Sequence, residues 1–404
     1  MQNSAKKLLE IALEKISPSI KILFLVGGFF LSLSYFALAH AKPLPGEEVG
    51  TRSLAPISIN GIGSISEKTG GFSGDLWRDT SFSTARQLLE IMPLRVDSPA
   101  LRKLKKRFLL SSFTPISGEG DEQDLLFRLR LIHLAWLDDP SLLDQMVALV
   151  PASALNSSIA AIHVSGYFIA KQNEKACEKT RNYMPQFQRS GAIFWRQAMI
   201  FCQAFSNKKQ EAELSLRLLQ EDVPSISSDY VNLIQNIFAE DKNIRASAIE
   251  QWTALLRLST AGITPIVQAF PAPNERIGKY ISNFSRASWI KEHQRDAEDK
   301  KEANLTQLYL LADAAGAEIT RDEWTALLPF VRRNNDRVSY VIAALLPELI
   351  AKKNTAEIIS LVLIGFGSEN LKNIDSYSAA PLIAALREIG DRETAQAITA
   401  ELLP

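Results

Sequence analysis

A chain of 404 residues, 46% hydrophobic and 22% charged, carries enough apolar material for two or three compact domains or one elongated array. Lys+Arg and Asp+Glu balance at 45 each. Removing residues 1–41 takes away four Lys and two Glu, leaving 41 basic residues against 43 acidic, so no global field draws the chain onto nucleic acid and such a partner is not expected.

Residues 22–39 (ILFLVGGFFLSLSYFALA) form an 18-residue run without charge, preceded by Lys6, Lys7, Lys15 and Lys21. Small residues close it in two overlapping A-x-A patterns, Ala37-Leu38-Ala39 and Ala39-His40-Ala41. A basic leader, an apolar stretch and an A-x-A site read as a secretory signal peptide. The leader is long and 18 residues just span a bilayer, so an uncleaved anchor is the second reading and a buried core helix the third. No cysteine sits just after the apolar run, which argues against a lipoprotein. The expected location is periplasmic or exported, or the inner membrane through a tether at 22–39.

Residues 42–70 are rich in Pro, Gly and Ser, show no lasting period and read as a flexible spacer. Trp77 is expected to dock onto the first helices, with Asp79, Ser81 or Ser83 capping the helix that runs to Ile91. Beyond this point the period is helical: Leu101, Leu104 and Phe108 follow i, i+3, i+7, and Leu125, Leu129, Ile132 and Trp136 continue it. Prolines at 99, 140, 151, 185 and 224 mark segment edges. The fold class is therefore all-α. The expected map is a signal or anchor at 1–41, a spacer at 42–70, a helical-repeat region at 71–262 and a C-terminal helical lobe at 275–404. Three prolines within 260–278 interrupt the pattern, and 291–304 is a mixed charge run read as a solvated face.

A short polar turn followed by a small or apolar residue recurs along the chain. It brings Leu142, Ala176, Ala212 and Ala246 to spacings of 34, 36 and 34, with later copies ending in Ala356 and Ala395, 39 apart. Two helices and a tight turn at a period near 34 resemble the tetratricopeptide repeat, over roughly 120–260 and more loosely 335–404. The resemblance rests on turn and small-residue positions, since the W-x-x-L-G-x-x-Y signature is absent. It implies an α-solenoid of helical hairpins; a non-repetitive bundle with similar turns is the alternative.

The whole chain is also similar to a family of exported bacterial proteins of uncharacterised activity, through Leu76-Trp77-Arg78-Asp79 and the helical segments carrying Cys177 and Phe201-Cys202. That resemblance implies fold and export. Some members carry an antifreeze-related label, and this chain has neither a repetitive Thr array nor an Ala-Ala-Thr tract.

Sites of chemistry are sparse. His40, His133, His163 and His293 form no H-E-x-x-H pattern, and no C-x-x-C occurs, so no metal site or cofactor is expected. His133 and His163 lie in apolar stretches and read as core or interface histidines. Gly-rich 61–74 lacks a P-loop ending, and Gly365 to Ser368 reads as a helix break. Asp138-Asp139 before Pro140 reads as a capping pair. Glu323 and Glu348 are the carboxylates considered for a cell-wall-cleaving enzyme, and nothing marks either as a general acid. Arg102, Lys103, Lys105, Lys106 and Arg107 offer a possible contact to an anionic surface, against the simpler reading of a solvated helix face. Cys177 and Cys202 fall on helices expected to be neighbours and read as a disulfide pair, with two buried thiols as the alternative.

The expected function is a non-enzymatic, exported protein-binding scaffold with an unidentified protein or peptide partner. The alternative is a cell-wall-associated enzyme or accessory factor with a site in the C-terminal lobe.

Overall fold

The computed structural model describes residues 58–116, 124–187, 192–261, 309, 313, 319–328, 339–367 and 371–403. The export segment at 22–39, most of the spacer, the boundary at 262–275, the run at 291–304, His40 and His293 lie outside the described residues. Contacts divide the chain between Pro56 and Ile57, and everything described belongs to the second unit.

Among the described residues the protein is all-helical, with fifteen α-helices and no strand. We number them α1 (Phe82–Ile91), α2 (Pro99–Leu110), α3 (Leu125–Ala135), α4 (Ser141–Val147), α5 (Ser157–Ile169), α6 (Asn173–Phe187), α7 (Ala192–Phe205), α8 (Lys209–Asp222), α9 (Ser228–Ile237) and α10 (Lys242–Ala261). The C-terminal set is α11 (Arg321–Leu327), α12 (Tyr340–Lys352), α13 (Thr355–Phe366), α14 (Ser376–Glu388) and α15 (Arg392–Leu402). Side-chain caps start many of them. Ser81 accepts from Thr84 N, Ser98 from Leu101 N with Pro99 following it, Asn156 from Ile159 N, and Asp375 from Ser378 N. Pro185, expected at an edge, lies inside α6.

The expectation of a spacer through residue 70 needs correction at its end. Ile59 is 2% exposed, and residues 59–65 run along the C-terminal end of α2. Ile65 N donates to Leu110 O at 3.1 Å and Ser112 N to Ile65 O at 2.8 Å. A Cβ on Gly63 would lie 2.3 Å from Ser112 N, so glycine permits this approach. Arg130 of α3 then locks the segment. Its guanidinium, fully buried, donates to the carbonyls of Leu109, Asn60, Ile62 and Ser111 at 2.5–3.1 Å. No carboxylate is in that set, and burial pulls the guanidinium down to about 9. Trp77 is also buried, against Phe108 at 5.7 Å and Phe113 at 6.3 Å between ring centroids.

Four of the helix-to-helix turns share one backbone solution. At Lys171, Asn207, Lys353 and Gly390 the chain enters the left-handed region. In each, that residue's N–H bonds the carbonyl three residues back, and the next N–H bonds the carbonyl five before itself: Gln172 to Tyr167, Lys208 to Gln203, Asn354 to Leu349, Asp391 to Leu386. This double closure satisfies carbonyls that a helix end would otherwise leave open. The small residue that follows is buried each time, at Ala176, Ala212, Ala356 and Ala395. The copy expected at 240–246 differs. No left-handed residue occurs there, Ala246 is exposed, and Ala248 and Trp252 are buried instead.

Packing explains that difference. In the first eight of these helices after α2, neighbours in sequence pack as neighbours in space, α3 with α4, α5 with α6, α7 with α8 and α9 with α10, and α3 also packs on α5 and α7 on α9. Helix α10 additionally returns to α5. Trp252 meets Phe168 of α5, Phe201 of α7 and Tyr230 of α9 at centroid distances of 5.0–5.9 Å. Thr253 bonds Phe168 O, Glu250 pairs with Lys171, and Arg257 reaches Asp138 and the Trp136 ring. The register of α10 is set by this second contact, so its buried residues shift away from position 246.

The consecutive helices α1 and α2 serve both ends of the described chain. They pack on α3 in one direction and on α13 and α15 in the other. Ala356 N donates to Leu76 O at 3.0 Å, Ala100 N to Glu401 Oε1 at 2.8 Å, and Gln87 Nε2 to Thr325 O at 2.8 Å.

Candidate functional site

Among the described residues a dense polar constellation sits where α4, α5 and α6 meet. Helix α4 supplies Asp144, α5 supplies His163 and Tyr167 one turn apart, and α6 supplies Lys179 and Tyr183 one turn apart. His163 Nε2 lies 2.7 Å from Asp144 Oδ1 and its Nδ1 lies 3.0 Å from the Tyr183 hydroxyl. Asp144 also accepts from Tyr167 and from Lys179 Nζ, the latter at 2.9 Å, and Lys179 lies over the Tyr167 ring. The network assigns the proton to Nε2, donated to Asp144, with Nδ1 accepting from Tyr183.

The electrostatics are mutually consistent. Burial, then the nearby Lys179 ammonium, pushes His163 down to about 4, against the opposing pull of Asp144. Burial would raise Asp144, but hydrogen bonds from Lys179, Tyr167 and His163 outweigh it and hold its carboxyl below the usual range. Burial and Asp144 raise both tyrosines. At neutral pH the site is therefore a neutral imidazole between a hydroxyl and a carboxylate. His163 keeps only 4% of its side-chain surface, while Asp144 keeps 42%. With both ring nitrogens engaged and the imidazole enclosed, the arrangement clamps three helices and leaves no nitrogen turned to solvent. Single residues in the sequence indicate a core histidine at 163; the signal for the cluster was the i, i+4 pair His163 and Tyr167 on the otherwise apolar α5.

The basic run on α2 is not a free anionic-contact surface, which corrects that reading. Lys105 is fully buried, with Nζ 2.6 Å from Pro93 O and 2.7 Å from Leu94 O, and burial lowers it to about 7. Arg102 bonds Val96 O, Lys103 pairs with Glu393, Lys106 lies 3.7 Å from Asp139, and Arg107 pairs with Asp391. Four of the five thus reach other segments, and the fifth, Lys105, enters the core.

The remaining candidates are structural. Asp138 takes the left-handed turn position, and Asp139 accepts from Ser141 N and Oγ. Glu323 closes a capping box with Thr320, and Glu348 pairs with Lys352 one turn on. His133 Nε2 meets Leu89 O at 2.7 Å, and burial and Lys105 hold its imidazole well below the ordinary value. Sequence reasoning missed Glu357 of α13. It is 3% exposed and receives Thr80 Oγ1, Asn354 Nδ2 and Arg321. Cys177 of α6 and Cys202 of α7 are disulfide-bonded, with Cα atoms 5.4 Å apart. Among the described residues no His, Cys, Asp and Glu cluster has the makings of a metal site, and no helix is long and apolar enough to cross a membrane.

Comparison with known proteins finds no matching family model, no matching curated protein and no matching solved structure.

Proposed function

We propose that this chain is an exported, non-enzymatic scaffold that binds another protein through the surface of its helical hairpins, in the manner of tetratricopeptide-like solenoids. The observation that carries the reading is the recurring hairpin unit: four turns with the same left-handed closure, each followed by a buried alanine. Units that repeat one packing solution generate extended surfaces suited to holding a polypeptide. Helix α10 already covers the C-terminal ends of α5 and α7 through Trp252 and Thr253, which moves the expected binding surface to other faces. The disulfide between α6 and α7 supports an oxidising compartment, and with it the signal or anchor reading of residues 22–39.

The test is crosslinking of the full chain in intact cells, combined with fractionation. One polypeptide recovered reproducibly in the envelope fraction is the expected result. Recovery of the chain alone from repeated crosslinking, or its residence in the cytoplasm, overturns the reading.

A further inference from the structure

Resting on the scaffold reading, we propose that the open groove of the last hairpin, between α14 and α15, is the seat of an amphipathic α-helix from a partner protein, with an acidic residue at the end near the α14–α15 turn. The groove encloses about 560 Å³. Ala380, Ile383 and Ala384 line it from α14, Ala395 and Ala400 from α15, and Leu403 just beyond α15. Leu403 is 60% exposed, so a large apolar side chain stands open at its far end.

The fold itself indicates the kind of occupant. One hairpin earlier, the equivalent seat between α12 and α13 is filled, because α14 packs on both of them. The residues that α14 buries are Ala379, Leu382, Ala385 and Leu386, a single apolar stripe at helical spacing. The last hairpin presents Ala380, Ala384, Ala395 and Ala400 to its groove, and such small residues let a helix approach closely. The described chain has no further helix lying there.

Charge gives the occupant its polarity. Three acidic groups of this hairpin turn the other way, onto α2: Asp391 pairs with Arg107, Glu393 with Lys103, and Glu401 accepts from Ala100 N. Arg387 and Arg392 are left on the groove side at the turn end. Arg387 has only an exposed pair with its neighbour Glu388, and Arg392 is exposed with no ion pair among the described residues. A carboxylate on the incoming helix meets two guanidinium groups there.

The experiment places a photoreactive benzoylphenylalanine at Ala384 or Thr399 of the full chain in its own cells, with Leu214 on α8 as a comparison position. The expected result is one adduct from both groove positions. Its crosslinked segment, mapped by mass spectrometry, is amphipathic at i, i+3, i+4 spacing and carries an Asp or Glu beside the stripe. Arg387→Glu with Arg392→Glu, and separately Ala384→Trp, lower the adduct from Thr399 at least tenfold while the unfolding midpoint stays within two degrees. An adduct with this chain itself, with lipid, or with a basic or non-helical segment overturns the proposal. A partner captured from Leu214 but not from the groove sinks the groove and leaves the scaffold standing. No adduct from any position sinks both.

Discussion

Thr80 Oγ1 donates a 2.7 Å hydrogen bond to Glu357 Oε1, joining segments 277 residues apart. The same oxygen receives Arg321 and, at 3.3 Å, Asn354 Nδ2. Asn354 also bonds Arg78 O, so the start of α13 is stitched to the turn before α1. An all-helical chain can leave its last helices loosely attached; here a buried carboxylate, satisfied from three directions, holds them to the segment that leads into α1.

Breaking one side of such a pair costs more than removing both, because the surviving charge stays buried. Arg321→Met is expected to destabilise the protein by about 3 kcal/mol, and adding Glu357→Leu should recover part of that loss. Urea unfolding of wild type, both single variants and the double variant measures it. Equal midpoints for wild type and Arg321→Met would show that the pair does not hold the closure.

Arg130 makes a second such attachment, for the segment at 59–65. Arg130→Met would leave the carbonyls of Asn60, Ile62, Leu109 and Ser111 without their shared donor. The expected cost is about 3 kcal/mol, since several buried acceptors lose their partner together. Amide exchange should rise first at residues 59–65 and 110–113. Arg130→Lys should restore little, because a single ammonium does not reproduce the planar fork. Unchanged exchange in 59–65 would mean that the Gly63 approach alone suffices.

What the sequence made legible was the local chemistry. The turns near 171, 207, 353 and 390 announced themselves because a helix end that needs a left-handed residue recruits short polar or glycine positions, and close helices need an alanine next. The copy at 240–246 was misread because the register of α10 answers to Phe168 and Phe201, residues far away in sequence. The cluster at Asp144 stayed hidden for the same reason: its members lie on three helices and each passes as an ordinary core or surface residue. Lys105 carried a signal that was overlooked. It falls at i+4 from Leu101, next to Leu104 and three before Phe108, inside the buried stripe and not opposite it.

The disulfide between Cys177 and Cys202 pins α6 to α7. It closes a loop with a sequence separation of 25, for which the chain-entropy model gives about 3 kcal/mol. Protein denatured without reductant is expected to show no reactive thiol, and Cys177→Ser with Cys202→Ser to unfold at correspondingly lower urea. Two reactive thiols in protein purified from an oxidising compartment would refute the bridge.

His163 predicts an acid limit to stability. Its folded value near 4 lies below the ordinary 6.5. Between those values the unfolded chain holds a proton that the folded one does not, so stability falls as pH drops through this window and is complete above it. A shift of that size corresponds to about 3 kcal/mol by pH 4. His133, buried and displaced in the same direction, adds a loss of the same sign. Glutamine at 163 keeps a donor and an acceptor but does not titrate. His163→Gln should therefore be less stable than wild type at pH 7 and lose less between pH 6.5 and 4, measured as the urea midpoint at each pH. Parallel losses in the two proteins would place the acid sensitivity elsewhere.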